Sequence, residues 1–210
     1  RYWLNNTAGA IALLHEAARA NVSRFIFSST CATYGEPPAE RIPITEECPQ
    51  QPVNPYGRSK LAVEQAILDH AASARADGRD FAAGILRYFN VAGCDATGLL
   101  GEDHRPETHL VPICLEVALG LRPHITVFGD DYPTADGTCI RDYVHVDDLI
   151  AAHLLVMNAL QPGEMRCYNI GIGRGQSVRD VIDAARRVTG HPIPAEMGPR
   201  RAGDPPVTNP

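Results

Sequence analysis

Two short apolar runs constrain this fold more than any other feature: residues 24–29 (RFIFSS) and residues 81–89 (FAAGILRYF). Each has strand length and little polar alternation, the pattern of a strand buried on both faces of a parallel sheet. Helical patterns lie beside them. Residues 7–20 place Ile11, Leu14, Ala17 and Ala18 on one face, and Asn21 then provides a stop. After a loop at 37–55 with six prolines, Asn54 can cap a helix that has Pro55 in its first turn, where a missing N–H costs nothing. Leu61, Val63, Ala66, Ile67 and Ala71 carry the apolar side of that helix to about residue 76. Helix, strand, helix, strand is the rhythm of a doubly wound α/β sheet.

Beyond Asn90 glycine and proline become frequent. Helices are predicted near 109–120, 147–160 and 177–189, with short strands near 125–128 and 166–170. This half reads as a smaller mixed α/β unit packed beside the sheet. Ligands of open α/β folds bind in such a crevice, at the carboxyl ends of the strands.

The formal net charge of −6 argues against a nucleic-acid or anionic-membrane surface. No run of eighteen apolar residues predicts a membrane span, and no signal peptide opens the sequence. The six cysteines are scattered without a C-x-x-C pair, so the sequence predicts no metal and reads as a cytoplasmic protein with reduced thiols.

The chemistry-bearing feature is Tyr56-Gly57-Arg58-Ser59-Lys60 at a helix start. The i, i+4 spacing puts phenol and ammonium on one face. A free tyrosine ionises only near pH 10, but a neighbouring cation and a helix N-terminus favour the phenolate, which makes a base. Residues 28–35 (SSTCATYG) follow the first strand directly, so the Thr30 hydroxyl is expected at the ligand crevice.

That ordering, with NNTAG (5–9), NPYGRSK (54–60), RYFNVAG (87–93), GED (101–103), VFGDDYPT (127–134), DGTCIRDYVHVDDL (136–149), YNIG (168–171) and PRRAGD (199–204), resembles the extended short-chain dehydrogenase/reductases. Within them it is most similar to the NAD-dependent 4-epimerases of UDP-hexoses and UDP-pentoses. The resemblance implies the C-terminal part of a Rossmann-like doubly wound sheet over residues 1–90. It implies a mainly UDP-sugar-binding unit over 91–210, with elements at about 130–160 returning to the sheet. It implies that about 90 residues, at least one βαβ pair, precede residue 1, that the end is also cut, and that activity belongs to the longer protein.

The implied reaction interconverts UDP-glucose and UDP-galactose by transient oxidation at sugar C4. Tyr56 would be the base, Lys60 would lower its pKa and hold the nicotinamide ribose, and Thr30 would hydrogen-bond the C4 oxygen. Asn5 and Phe89 match NAD-contacting positions. Asn90, His109, Leu110, Thr126, Val127, Phe128, Arg141, Arg201 and Asp204 match UDP-sugar positions, and Thr208 the one whose size gates the space at sugar C2. Arg141 and Arg201 suit a diphosphate, and Phe128 can lie against uracil. The implied partner, besides the UDP-sugar, is a second copy in a homodimer.

Other signals are set aside. Residues 171–177 (GIGRGQS) resemble a dinucleotide fingerprint but lack the later acidic residue, and read as a strand–helix turn with Ser177 as N-cap. His145-Val146-Asp147-Asp148 reads as an aspartate cap before a helix. A sugar-nucleotide 4,6-dehydratase would need an Asp-Glu pair where Cys31-Ala32 stand. A non-catalytic relative would not need Tyr56, Lys60 and Thr30 together.

Overall fold

The computed structural model describes residues 1–201 and 203–210. A π-helical turn, Trp3–Ala8, runs into helix α1, Gly9–Arg19, and β1, Arg24–Thr30, follows. Then come α2 (Pro55–Ala76), β2 (Ala82–Tyr88), β3 (Asn90–Ala92), α3 (Leu110–Ala118), β4 (Ile125–Phe128) and β5 (Ile140–His145). The rest is α4 (Val146–Ala159), β6 (Met165–Ile170), β7 (Gly175–Ser177), α5 (Val178–Thr189), β8 (Ala195–Gly198) and β9 (Val207–Thr208). Among the described residues, no helix is long and apolar enough to cross a membrane.

The first sheet is parallel, in the order β1-β2-β6. Phe27, Ala83 and Ile85 point to one face, where Leu14 of α1 and Val63, Ile67 and Ala71 of α2 cover them. Burying one such aliphatic side chain contributes about 1.5–3 kcal/mol. Of the α1 face expected from its spacing, Leu14 is buried, whereas Ile11 is 45% exposed. The opposite face packs on α4 so closely that a Cβ at Gly84 would lie 2.6 Å from a Val156 methyl. Both faces are therefore covered, and this explains why β2 is almost continuously apolar. Of the 130–160 stretch expected to return to this sheet, α4 packs on it while β5 pairs elsewhere; β6, at Met165–Ile170, joins it beside β2.

Local signals explain the helix ends. The Asn54 side chain accepts the Gly57 N–H at 2.8 Å with Pro55 at the first position of α2. Asn21 takes a positive φ of 53° just past α1. Ser177 caps α5 in a reciprocal box with Asp180, so residues 171–177 form the strand–helix turn expected of them. At α4 the cap is His145 and not an aspartate: its Nδ1 accepts the Asp147 N–H at 3.2 Å.

The second half builds two further sheets. β4 and β8 pair in parallel over α3 and α5, enclosing Cys114, Val117, Ile125, Val127, Ile182 and Ile193. β5 pairs with β3 and β9 in parallel and with β7 antiparallel. Asp142 of β5 is fully buried and accepts the Ile172 and Arg174 N–H groups at 2.8 and 3.0 Å, which fixes the β6–β7 turn. The expected strands near 125–128 and 166–170 are present. The sequence pattern did not reveal β3, β5, β7, β8 or β9, which are short and held by partners distant in sequence.

Candidate active site

β1 ends at Thr30, whose hydroxyl accepts the Ala32 N–H at 3.2 Å and starts a single 3₁₀ turn, Cys31–Thr33. That turn presses against the start of α2: a Cβ at Gly57 would lie 2.3 Å from the Ala32 carbonyl oxygen. The close approach sets Tyr56 beside Thr30. One turn along α2, the Lys60 Nζ donates to the Ser28 carbonyl at 2.9 Å and lies 6.0 Å from the Tyr56 ring centre. Thr7 and Asn6 of the N-terminal turn bond Ser59 at 3.0 and 3.1 Å, which docks that turn on α2 and leaves Asn5 exposed beside them.

Burial pushes the Tyr56 phenol above its ordinary value, nearby Tyr88 adds to this, and the neighbouring Thr30 hydroxyl opposes it. Burial lowers the Lys60 ammonium. The lowering of Tyr56 expected from Lys60 is not what this arrangement produces, because the ammonium is turned to the Ser28 carbonyl.

Sequence reasoning missed the polar scaffold beneath the site. Arg87 of β2 donates from Nη2 to Glu64 of α2 at 2.7 Å and from Nη1 to the Tyr34 hydroxyl at 2.9 Å. The Tyr34 hydroxyl donates to Asn169 Oδ1 of β6 at 2.7 Å, and Asn169 donates to the Ile44 carbonyl. Glu64 also accepts from Ser29 and Gln50. Glu64 and Arg87 are 1% and 7% exposed, so this is a buried, satisfied network joining β1, β2, β6, α2 and the proline-rich loop. Arg87 stands inside an otherwise apolar run, and a charge there was the available signal.

A cavity of about 620 Å³ opens beside Asn90, just past the end of β2. It gathers Asn90, His109, Leu110, Thr126, Phe128, Arg141, Arg201 and Asp204 from the expected set. Arg122, His124 and Tyr143 also line it and were not anticipated. Arg141 is ion-paired with Asp204 and donates to its neighbour's carbonyl at 2.7 Å. The Arg201 guanidinium lies 3.9 Å from the centre of the Phe128 ring, covering the face expected to meet a base.

Three expected residues stand elsewhere. Val127 is 3% exposed and points into the core, because side chains alternate along β4. The Phe89 ring is 6% exposed among Tyr34, Ile44 and Cys48, so only its backbone can meet a cofactor. Thr208 pairs with Arg141 across β9–β5, is 8% exposed, and does not line the cavity.

Residues 1–171 match the NAD dependent epimerase/dehydratase family. The chain belongs to that family. A UDP-glucose 4-epimerase of Lacticaseibacillus casei is 53% identical over 98% of this chain and 60% of its own length. A probable UDP-arabinose 4-epimerase of Oryza sativa subsp. japonica is 46% identical over 97% of this chain and 48% of its own. Among solved family structures, a UDP-glucose 4-epimerase from Bifidobacterium longum in complex with NAD+ and UDP superposes with a TM-score of 0.90 at 41% identity, over 99% of this chain and 61% of that one. The chain thus spans about 60% of the length of the UDP-glucose 4-epimerases it matches.

Proposed function

We propose that this chain carries the catalytic site and UDP-sugar cavity of an NAD-dependent 4-epimerase that interconverts UDP-glucose and UDP-galactose. The carrying observation is the juxtaposition of Thr30 and Tyr56 at the end of β1, with Lys60 one turn away and an arginine-bearing cavity beginning at Asn90. The groups present fit the cofactor: an exposed Asn5 amide, a partly buried Lys60 ammonium, and the Phe89 carbonyl at the same sheet end, the Phe89 N–H being bonded to the Ile170 carbonyl. NAD, when bound, supplies reversible oxidation at sugar C4.

Tyr56 takes the proton of the C4 hydroxyl and later returns it, while Thr30 holds the C4 oxygen. Phenolate formation needs a closer cation, and Lys60 supplies it by turning from the Ser28 carbonyl toward the Tyr56 hydroxyl. Arg141, aligned by Asp204, and Arg201, released from Phe128, bind the diphosphate, and the freed ring takes uracil. Dehydratase chemistry lacks its acid–base pair here: burial pushes the Cys31 thiol up to about 11.

A UDP-pentose 4-epimerase is the second reading, supported by the 46% identical rice relative. In either reading the partner is a second copy of the chain, for which exposed Leu13 of α1 and Leu68 of α2 supply apolar surface. All six cysteines are free thiols, which supports a reducing, cytoplasmic setting.

The test is the complete gene product incubated with UDP-galactose. UDP-glucose should form, and denaturation should release NAD. Bound NAD without interconversion would make it a non-catalytic binder, and the absence of both interconversion and bound NAD would overturn the reading altogether.

A further inference from the structure

We propose that Glu102, His104, Glu107 and His109 form a binding site for a zinc-class divalent cation at the rim of the cavity. The loop entering α3 carries the spacing E-x-H-x-x-E-x-H over residues 102–109. One donor atom from each side chain lies within 4.8 Å of the other three. Both rings turn Nδ1 inward: that of His104 lies 2.8 Å from Glu102 Oε1, and that of His109 lies 2.7 Å from the same oxygen. The His109 Nδ1 is also 2.8 Å from Glu107 Oε1.

Glu107 sets this group apart from a solvated acidic patch. Its side chain is 4% exposed, and the Thr108 and His109 N–H groups hold Oε1 at 2.6 and 2.7 Å. Those backbone donors are the outer partners that orient a metal-binding carboxylate. Two carboxylates converge on one imidazole nitrogen, which has at most one proton to share between them. A dipositive ion neutralises both carboxylates and uses both ring lone pairs. Two imidazoles with two carboxylates suit zinc and its neighbours, whereas magnesium prefers an octahedron of oxygens. Because Glu107 and His109 also line the cavity, the ion would fasten the 102–109 loop at its entrance.

The probes are Zn²⁺ and Co²⁺ added to the full chain after EDTA treatment. One equivalent of Zn²⁺ should bind in competition with a chromophoric chelator, and Co²⁺ should give the intense visible bands of a four-coordinate site. His104→Ala, at an exposed position, should weaken Zn²⁺ binding by about tenfold or more. Its unfolding temperature in EDTA should match the parent's, while Zn²⁺ raises that of the parent alone. Equal Zn²⁺ affinity in the parent, His104→Ala and Glu102→Gln would overturn the site. So would displacement of Zn²⁺ by an equal concentration of Mg²⁺.

Discussion

A phenol serves as a base near neutral pH only where its surroundings favour the phenolate, and burial of Tyr56 works against that. Its partners must supply the difference, which makes single-residue changes informative. Tyr56→Phe in the complete protein should lower epimerisation by about 10²–10⁴-fold and leave UDP-sugar affinity nearly intact. Turnover within threefold of the parent would remove Tyr56 from the base role. Thr30 accepts the Ala32 N–H and lies beside the Tyr56 phenol. Thr30→Ser keeps the hydroxyl and should be mild, whereas Thr30→Val should be severe. Equal effects in a steady-state assay would show that Thr30 only packs.

At the scale of elements, the start of α2 and the start of α5 each depend on one tight contact. Gly57→Ala drives a methyl group into the Ala32 carbonyl, so the helix start must shift. The expected cost is about 1–3 kcal/mol in urea unfolding, with lower turnover because Tyr56 moves with the helix. An unchanged denaturation midpoint would show that the contact yields freely. At α5, burial alone would raise the Asp136 carboxyl. Hydrogen bonds from the Ser177 hydroxyl and the Thr138 N–H and hydroxyl, with the charge of Arg179, outweigh burial and hold it below its ordinary value. A carboxylate depressed in the folded state stabilises above its unfolded pKa of about 3.9, and that stability is lost as pH falls through the folded pKa. Asp136→Asn should therefore flatten the loss of stability below about pH 4, as measured by thermal unfolding across pH. Parallel acid profiles for the two proteins would refute the assignment.

Across the whole molecule, the Glu64–Arg87–Tyr34–Asn169 network joins three strands, α2 and the proline-rich loop under the site. Removing Arg87 or Glu64 leaves the other without its buried ionic partner. Arg87→Met should cost about 3–5 kcal/mol, because the Glu64 carboxyl, 1% exposed, loses the partner that compensates its burial. The double change Arg87→Met with Glu64→Leu should recover much of that loss, since neither charge then remains buried. A double variant as unstable as the sum of its parts would show that the two residues act independently.

Local rules were enough for several features of this protein. Asn54, Pro55 and Ser177 mark helix starts because a cap depends on a few neighbouring atoms. β1, β2 and α2 are long enough for their apolar patterns to show, and the Tyr56–Lys60 spacing follows from helical geometry alone. Resemblance to a family supplied most of the cavity residues, which no periodicity could pick out. Folding decided the rest. Val127 and Thr126 differ by one position, yet strand alternation turns one to the core and the other to the cavity. β3, β5, β7 and β9 find their partners across long stretches of chain, and a strand of two to six residues carries too little pattern to announce itself. The direction of the Tyr56 shift depends on how deeply the ring is buried and where Lys60 points. Burial and rotamer are properties of the assembled molecule, because desolvation is set by atoms brought together from distant segments.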